Sequence, residues 1–143
     1  MRLLDGWDSR LHAAIEAARG KTFQWGVFDC CLFACDVVLA ETGVDMAEGL
    51  RGTYDDLQGA GAAMKRIGGG GIEQLVEHFA AKHRCREVRP AFAQRGGVTL
   101  IDTPDRGPAL GICLGHLSIH LAPAPDGLIY VPMKTVRRAW VAS

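Results

Sequence analysis

Residues 23–36 read Phe23-Gln24-Trp25-Gly26-Val27-Phe28-Asp29-Cys30-Cys31-Leu32-Phe33-Ala34-Cys35-Asp36, and this stretch decides the fold. Trp25-Gly26 predicts a turn. Asp29 predicts a helix N-cap, because its carboxylate can accept hydrogen bonds from the first free N–H groups. Cys30 then falls on the first helical turn, where the positive end of the helix dipole favours thiolate over thiol. Leu32, Phe33, Val37 and Val38 predict an apolar stripe along one side of that helix. A cysteine opening a buried helix suits a nucleophile. The competing reading is a small buried hydrophobe, since free cysteines are among the most buried residues.

Upstream, Asp8 or Ser9 predicts the cap of a first helix, with Leu11, Ala14, Ile15 and Ala18 inward and Gly20 just past its end. Downstream, the Cys30 helix stops near Gly43, and residues 44–54 read as a loop. A third helix is predicted from Thr53 to Ile67, weakened by Gly59 and Gly61. The four glycines Gly68–Gly71 lack the Lys-Ser or Lys-Thr that completes a phosphate loop, so a hinge or helix-to-helix turn is expected. Ile72–Ala81 predicts a fourth helix with Leu75, Val76 and Phe79 inward.

The character then changes to short β runs separated by Pro and Gly turns: 85–88, 98–102, 109–114, 117–121, 128–131 and 136–141, with Trp140 inward. Asp126-Gly127 predicts a hairpin turn. His116 to Leu121 alternates strictly, which places His116, Ser118 and His120 on one face. Helices first and an antiparallel sheet after predict an α+β fold, as one domain over residues 1–143.

The 143 residues suffice for a single core, and 48% hydrophobic with 22% charged residues is ordinary for a globular chain. Sixteen basic residues balance sixteen acidic ones, which gives no basis for a nucleic-acid or membrane-surface partner. Zero net charge leaves the surface weakly protected against association and suits a subunit of an assembly. No run approaches the ~18 apolar residues of a membrane span. The first ten residues lack the apolar core of a secretory signal, so synthesis and initial residence in a cytoplasm are expected. Five cysteines, two of them adjacent, argue against a disulfide framework.

Thiol hydrolysis needs a thiolate, a histidine to take and return its proton, and a polar group to orient that histidine. Cys30 supplies the first. His12, His78 and His83 are expected to face solvent. Cys31 and Cys35 share a helix face and could bind a soft metal with Cys85 or Cys113. Their apolar neighbours and the lack of a paired C-x-x-C favour core cysteines, with no metal and no cofactor.

The 23–36 stretch resembles the nucleophile segment of NlpC-type cell-wall endopeptidases, a papain-like family whose segment runs W-G, a spacer, then D-C. It resembles more closely a divergent branch of that family found in tailed phages and prophages. That branch carries W-G-x-x-D-C, an aspartate, T-G, R-G-x-Y and a late A-W. The counterparts here are Trp25-Gly26, Asp29-Cys30, Asp36, Thr42-Gly43, Arg51-Gly52-Thr53-Tyr54 and Ala139-Trp140. The resemblance implies a papain-like NlpC fold, N-terminal helices packed on a C-terminal antiparallel sheet. Cys30 takes the nucleophile position, with Asp29 and Trp25 supporting it.

Two family positions depart from the pattern. The aspartate of the family's G-D-x-V strand is Gly97 here. The histidine opening its H-V-G-I strand is Ala109 in Ala109-Leu110-Gly111-Ile112, and alanine neither takes nor gives a proton. His116 and His120 are the candidates for a relocated base, although a move across a hairpin is several ångströms against a hydrogen-bond reach of about 3 Å. The resemblance therefore implies a phage tail or tail-tip protein, made in a bacterial host's cytoplasm and carried in the virion tail. Its expected partners are other tail-tip or baseplate proteins, with peptidoglycan as a further one. The expected role is a structural subunit; the alternative is an active peptidoglycan endopeptidase using Cys30 with His116 or His120.

Overall fold

The computed structural model describes residues 1–142. Four helices come first: α1 (Trp7–Arg19), α2 (Cys30–Thr42), α3 (Leu57–Gly68) and α4 (Ile72–His83). Six strands follow: β1 (Arg86–Val88), β2 (Val98–Thr103), β3 (Gly107–Cys113), β4 (Leu117–Ala122), β5 (Gly127–Pro132) and β6 (Val136–Val141). They form one antiparallel sheet in the order β1-β6-β2-β3-β4-β5. The fold is α+β, with the helices packed on the sheet.

One face of the sheet presents Leu100, Leu110, Ile112, Ile119, Leu121 and Trp140 to the helices, in one core with Leu32, Phe33 and Val37 of α2. The opposite face is built from smaller residues. Ile101, Ala109, Val136 and Ala139 cluster there, and Cys30 packs against them from the start of α2. On the same face the Thr99 and Ser118 hydroxyls meet at 2.7 Å across Gly111. A Cβ at Gly111 would stand 2.7 Å from the Ile119 carbonyl oxygen and 2.9 Å from Thr99 Oγ1, so glycine permits this close approach.

Several local expectations are corrected. α2 is buried over most of its circumference rather than along one stripe: Cys31, Ala34, Cys35, Glu41 and Thr42 are buried along with Leu32, Phe33, Val37 and Val38. α1, the sheet and the 44–56 loop cover it except along an edge of Asp36, Leu39 and Ala40, which leaves room for only a narrow polar strip. α1 begins at Trp7 after Gly6 in the left-handed region (φ 74°), not at Asp8 or Ser9. Asp8 sits in the first turn and pairs with Arg95 at 2.8 Å. α3 begins at Leu57, where Asp56 caps it by accepting from the Gly59 N–H at 2.6 Å. The glycine run is a helix-to-helix turn: Gly68 ends α3, Gly69 is its left-handed cap, and Gly71 precedes α4. Asp126 and Gly127 do not form a two-residue turn; residues 123–126 make a four-residue loop, and Gly127 is already paired with Ala122.

Candidate functional site

Asp29 is 1% exposed and all its acceptor capacity is used locally. Oδ1 accepts from the Leu32 N–H at 3.0 Å, which caps α2. Oδ2 accepts from the Gly26 N–H at 3.0 Å and from the Tyr54 hydroxyl at 2.5 Å. The Gly52 N–H donates to the Gly26 carbonyl at 2.9 Å. Arg51 pairs with Asp36 on α2 at 2.8 Å and bonds both oxygens of Asp45 at 2.9 and 3.1 Å. The W-G, D-C, Asp36 and R-G-x-Y residues thus form one interlock that ties the 44–56 loop to the start of α2. This interlock fixes the first turn of α2 and with it the position of Cys30. Their co-occurrence in the sequence was the available signal for this contact, and single-residue reading misses it.

Cys30 stands at the junction of α2 with β3. Backbone groups of Leu110 and Cys31 favour the thiolate, yet burial, with Asp29's negative charge next, pushes the thiol's pKa up to about 12. The expected thiolate is therefore corrected: the helix dipole and the backbone donors are outweighed by desolvation. The Tyr54 phenol is also pushed up, first by burial and then by its bond to Asp29, so it stays a donor.

A cavity of about 740 Å³ opens above the thiol. Trp25, Asp29, Cys30, Ala109 and His120 all line it, so most of the residues singled out by sequence converge. The β3–β4 ladder has only three rungs, from Cys113↔Ser118 to Gly111↔His120, against six between β2 and β3. Beyond that last rung β3 and β4 no longer pair with each other, and there Ala109 and Ala122 line the cavity. His120 faces Gly111, two residues from Ala109, and so lies on Ala109's side of the sheet. His120 is 3% exposed, and its buried Nδ1 has no hydrogen-bond partner among the described residues. Burial, followed by the Arg106 charge, lowers its pKa and keeps the imidazole neutral.

His116 is not part of this arrangement. It precedes β4 in a bend, exposed, and does not line the cavity. His12 and His78 are exposed as expected, whereas His83 is half-buried with an unpartnered Nε2. Among the described residues, no group of three His, Cys, Asp or Glu could hold a metal ion. Cys31, Cys35 and Cys113 are buried free thiols. Arg106, on the β2–β3 turn at the cavity, was not singled out by sequence because nothing local marks it.

A family model described as "Domain of unknown function (DUF6950)" matches residues 1–142. The chain belongs to that family. No curated protein matches it by sequence. Among solved structures, the DUF6950 chain is similar to the crystal structure of the NlpC/p60 domain of peptidoglycan hydrolase SagA, at 18% identity and a TM-score of 0.55. The match covers 92% of this chain and 96% of that one. At that identity the likeness establishes an NlpC-like fold, and fold alone does not assign chemistry. No described helix is long and apolar enough to cross a membrane.

Proposed function

We propose that the protein is a phage tail or tail-tip component in which an NlpC-like fold serves as a structural subunit and no longer cleaves peptide bonds. One observation carries the loss of cleavage: Ala109 occupies the strand position beside Cys30 that resemblance assigns to the base, and the thiol's pKa is pushed up to about 12. A thiol so protonated is a poor nucleophile at neutral pH. The tail context rests on the W-G-x-x-D-C, R-G-x-Y and A-W resemblance. In this reading the protein is made in the host cytoplasm and joins other tail-tip or baseplate proteins in the virion.

A second reading is favoured by His120, which lines the Cys30 cavity with an unpartnered nitrogen. In it, His120 serves as a relocated base and Cys30 attacks a peptidoglycan stem peptide. Against this reading, burial and the Asp29 charge both disfavour the Cys30 thiolate.

Incubation of the purified protein with muropeptides separates the two. The structural reading expects no cleavage, normal particle assembly with Cys30→Ser, and a fixed copy number in purified virions. Hydrolysis abolished by Cys30→Ser would establish the second reading instead.

A further inference from the structure

The cavity above Cys30 has a chemistry that does not suit a charged peptide. Its walls are supplied largely by Phe23, Trp25, Leu57, Met64, Ile72 and Leu121. Leu57, on α3, is 67% exposed, an unusual exposure for a leucine that borders a cavity. The volume of about 740 Å³ lies within the range of small-molecule sites.

Two charged groups at the cavity, Asp29 and Arg106, are already committed. Asp29 is saturated by Leu32, Gly26 and Tyr54. Arg106 reaches Asp126 at 2.7 Å and lies 3.9 Å from Asp105, so the mouth offers a carboxylate no uncompensated cation. An anionic ligand would lose its hydration without gaining a partner. His120 differs from these groups. Its ring lines the cavity while only 3% exposed, Nδ1 is enclosed and without a partner among the described residues, and the cavity-facing side of the imidazole is what a bound hydrogen-bonding group would meet.

We propose that this cavity is a binding site for an uncharged, mainly aliphatic small molecule carrying one hydrogen-bonding group that pairs with His120. The apolar walls take the chain, and the neutral imidazole takes the head. This site does not depend on where the protein works or on whether Cys30 turns over. Muropeptide cleavage decides the function proposed above, and ligand displacement decides this site.

The test uses the full chain, with Nile red as a neutral apolar probe and primary amides from hexanamide to dodecanamide as competitors. Saturable dye binding is expected, with competitor affinity rising about fourfold per added methylene. Dodecanoate at pH 8 is expected to compete at least about tenfold more weakly than dodecanamide. His120→Leu is expected to weaken dodecanamide about tenfold while leaving Nile red bound. Should that variant not fold, Leu57→Glu at the exposed rim is expected to weaken the dye about fivefold or more. The proposal is overturned by the absence of saturable binding, by affinity independent of chain length, or by dodecanoate binding as tightly as the amide. Unchanged dye binding in Leu57→Glu, or displacement by muropeptides as effective as by dodecanamide, overturns it equally.

Discussion

The Tyr54 hydroxyl donates to Asp29 Oδ2 at 2.5 Å, so the loop that ends in Tyr54 closes on the carboxylate that starts the Cys30 helix. Tyr54→Phe keeps the ring and removes only that bond, leaving Asp29 with its two backbone donors. It is expected to cost about 1–2 kcal/mol, because the lost bond is to a buried charge. Asp29→Ala removes the cap and strands three donors, and is expected to cost roughly 3 kcal/mol. Urea denaturation measures both. A Tyr54→Phe variant as stable as the parent would mean that the bond contributes nothing net.

Gly26 and Gly52 adjoin the same interlock but make different demands. Both have positive φ, 80° and 72°. A Cβ on Gly26 would stand 1.8 Å from the Tyr54 carbonyl oxygen, whereas one on Gly52 would meet nothing within 4 Å. Gly52→Ala is therefore expected to cost about 1 kcal/mol for the backbone alone. Gly26→Ala is expected to cost at least about 3 kcal/mol, or to prevent folding, because backbone must move. Comparable melting temperatures for the two variants would contradict this account.

The protonated state of Cys30 is directly measurable. Alkylation by iodoacetamide at pH 7.5, followed by peptide mapping to separate Cys30 from the other four cysteines, is expected to run at least about a hundredfold slower than for free cysteine. Ala109→His places an imidazole at the cavity beside the thiol, and is expected to raise the rate about tenfold with a histidine-like inflection in its pH profile. Rapid alkylation of the unaltered protein would show that its thiol is activated by a route other than residue 109.

The start of α2 is legible in the sequence because capping is local: Asp29 and the apolar run after it suffice. The order of helices and strands is legible for the same reason, since hydrophobic period and Pro/Gly punctuation are short-range signals. The state of the Cys30 thiol is not. Its local cues, a helix N-terminus and backbone donors, favour thiolate, and they lose to burial that only tertiary packing creates. His116 and His120 look equivalent in an alternating strand, yet the strand begins at Leu117 and only His120 is carried into the cavity. The Asp36–Arg51 pair and the Tyr54–Asp29 bond span 15 and 25 residues, beyond the reach of any spacing rule. Leu57 reads as an ordinary helix residue until β2, β3 and α3 are seen to border one cavity.

Glu41 carries a pH dependence that the sequence does not reveal. It is fully buried on α2, and neither carboxyl oxygen has a hydrogen-bond partner among the described residues. Oε1 lies so close beneath Gly96 that a Cβ there would stand 2.2 Å from it. Burial pushes its pKa from 4.5 to about 8, with only partial relief from Arg95. Between those two values the folded protein holds a proton that the unfolded chain releases, so rising pH favours unfolding across that window. The contribution is absent below about pH 4 and complete above pH 8. Glu41→Gln keeps the shape and removes the titration. Its stability relative to the parent is expected to be no more than about 1 kcal/mol at pH 5 and to increase by about 2 kcal/mol or more by pH 7.5, read by denaturant titration at each pH. Comparing differences cancels the other titrating groups, which both proteins share. A gap that stays constant from pH 5 to pH 7.5 would show that Glu41 is either ionised throughout or solvated by water reaching its oxygens.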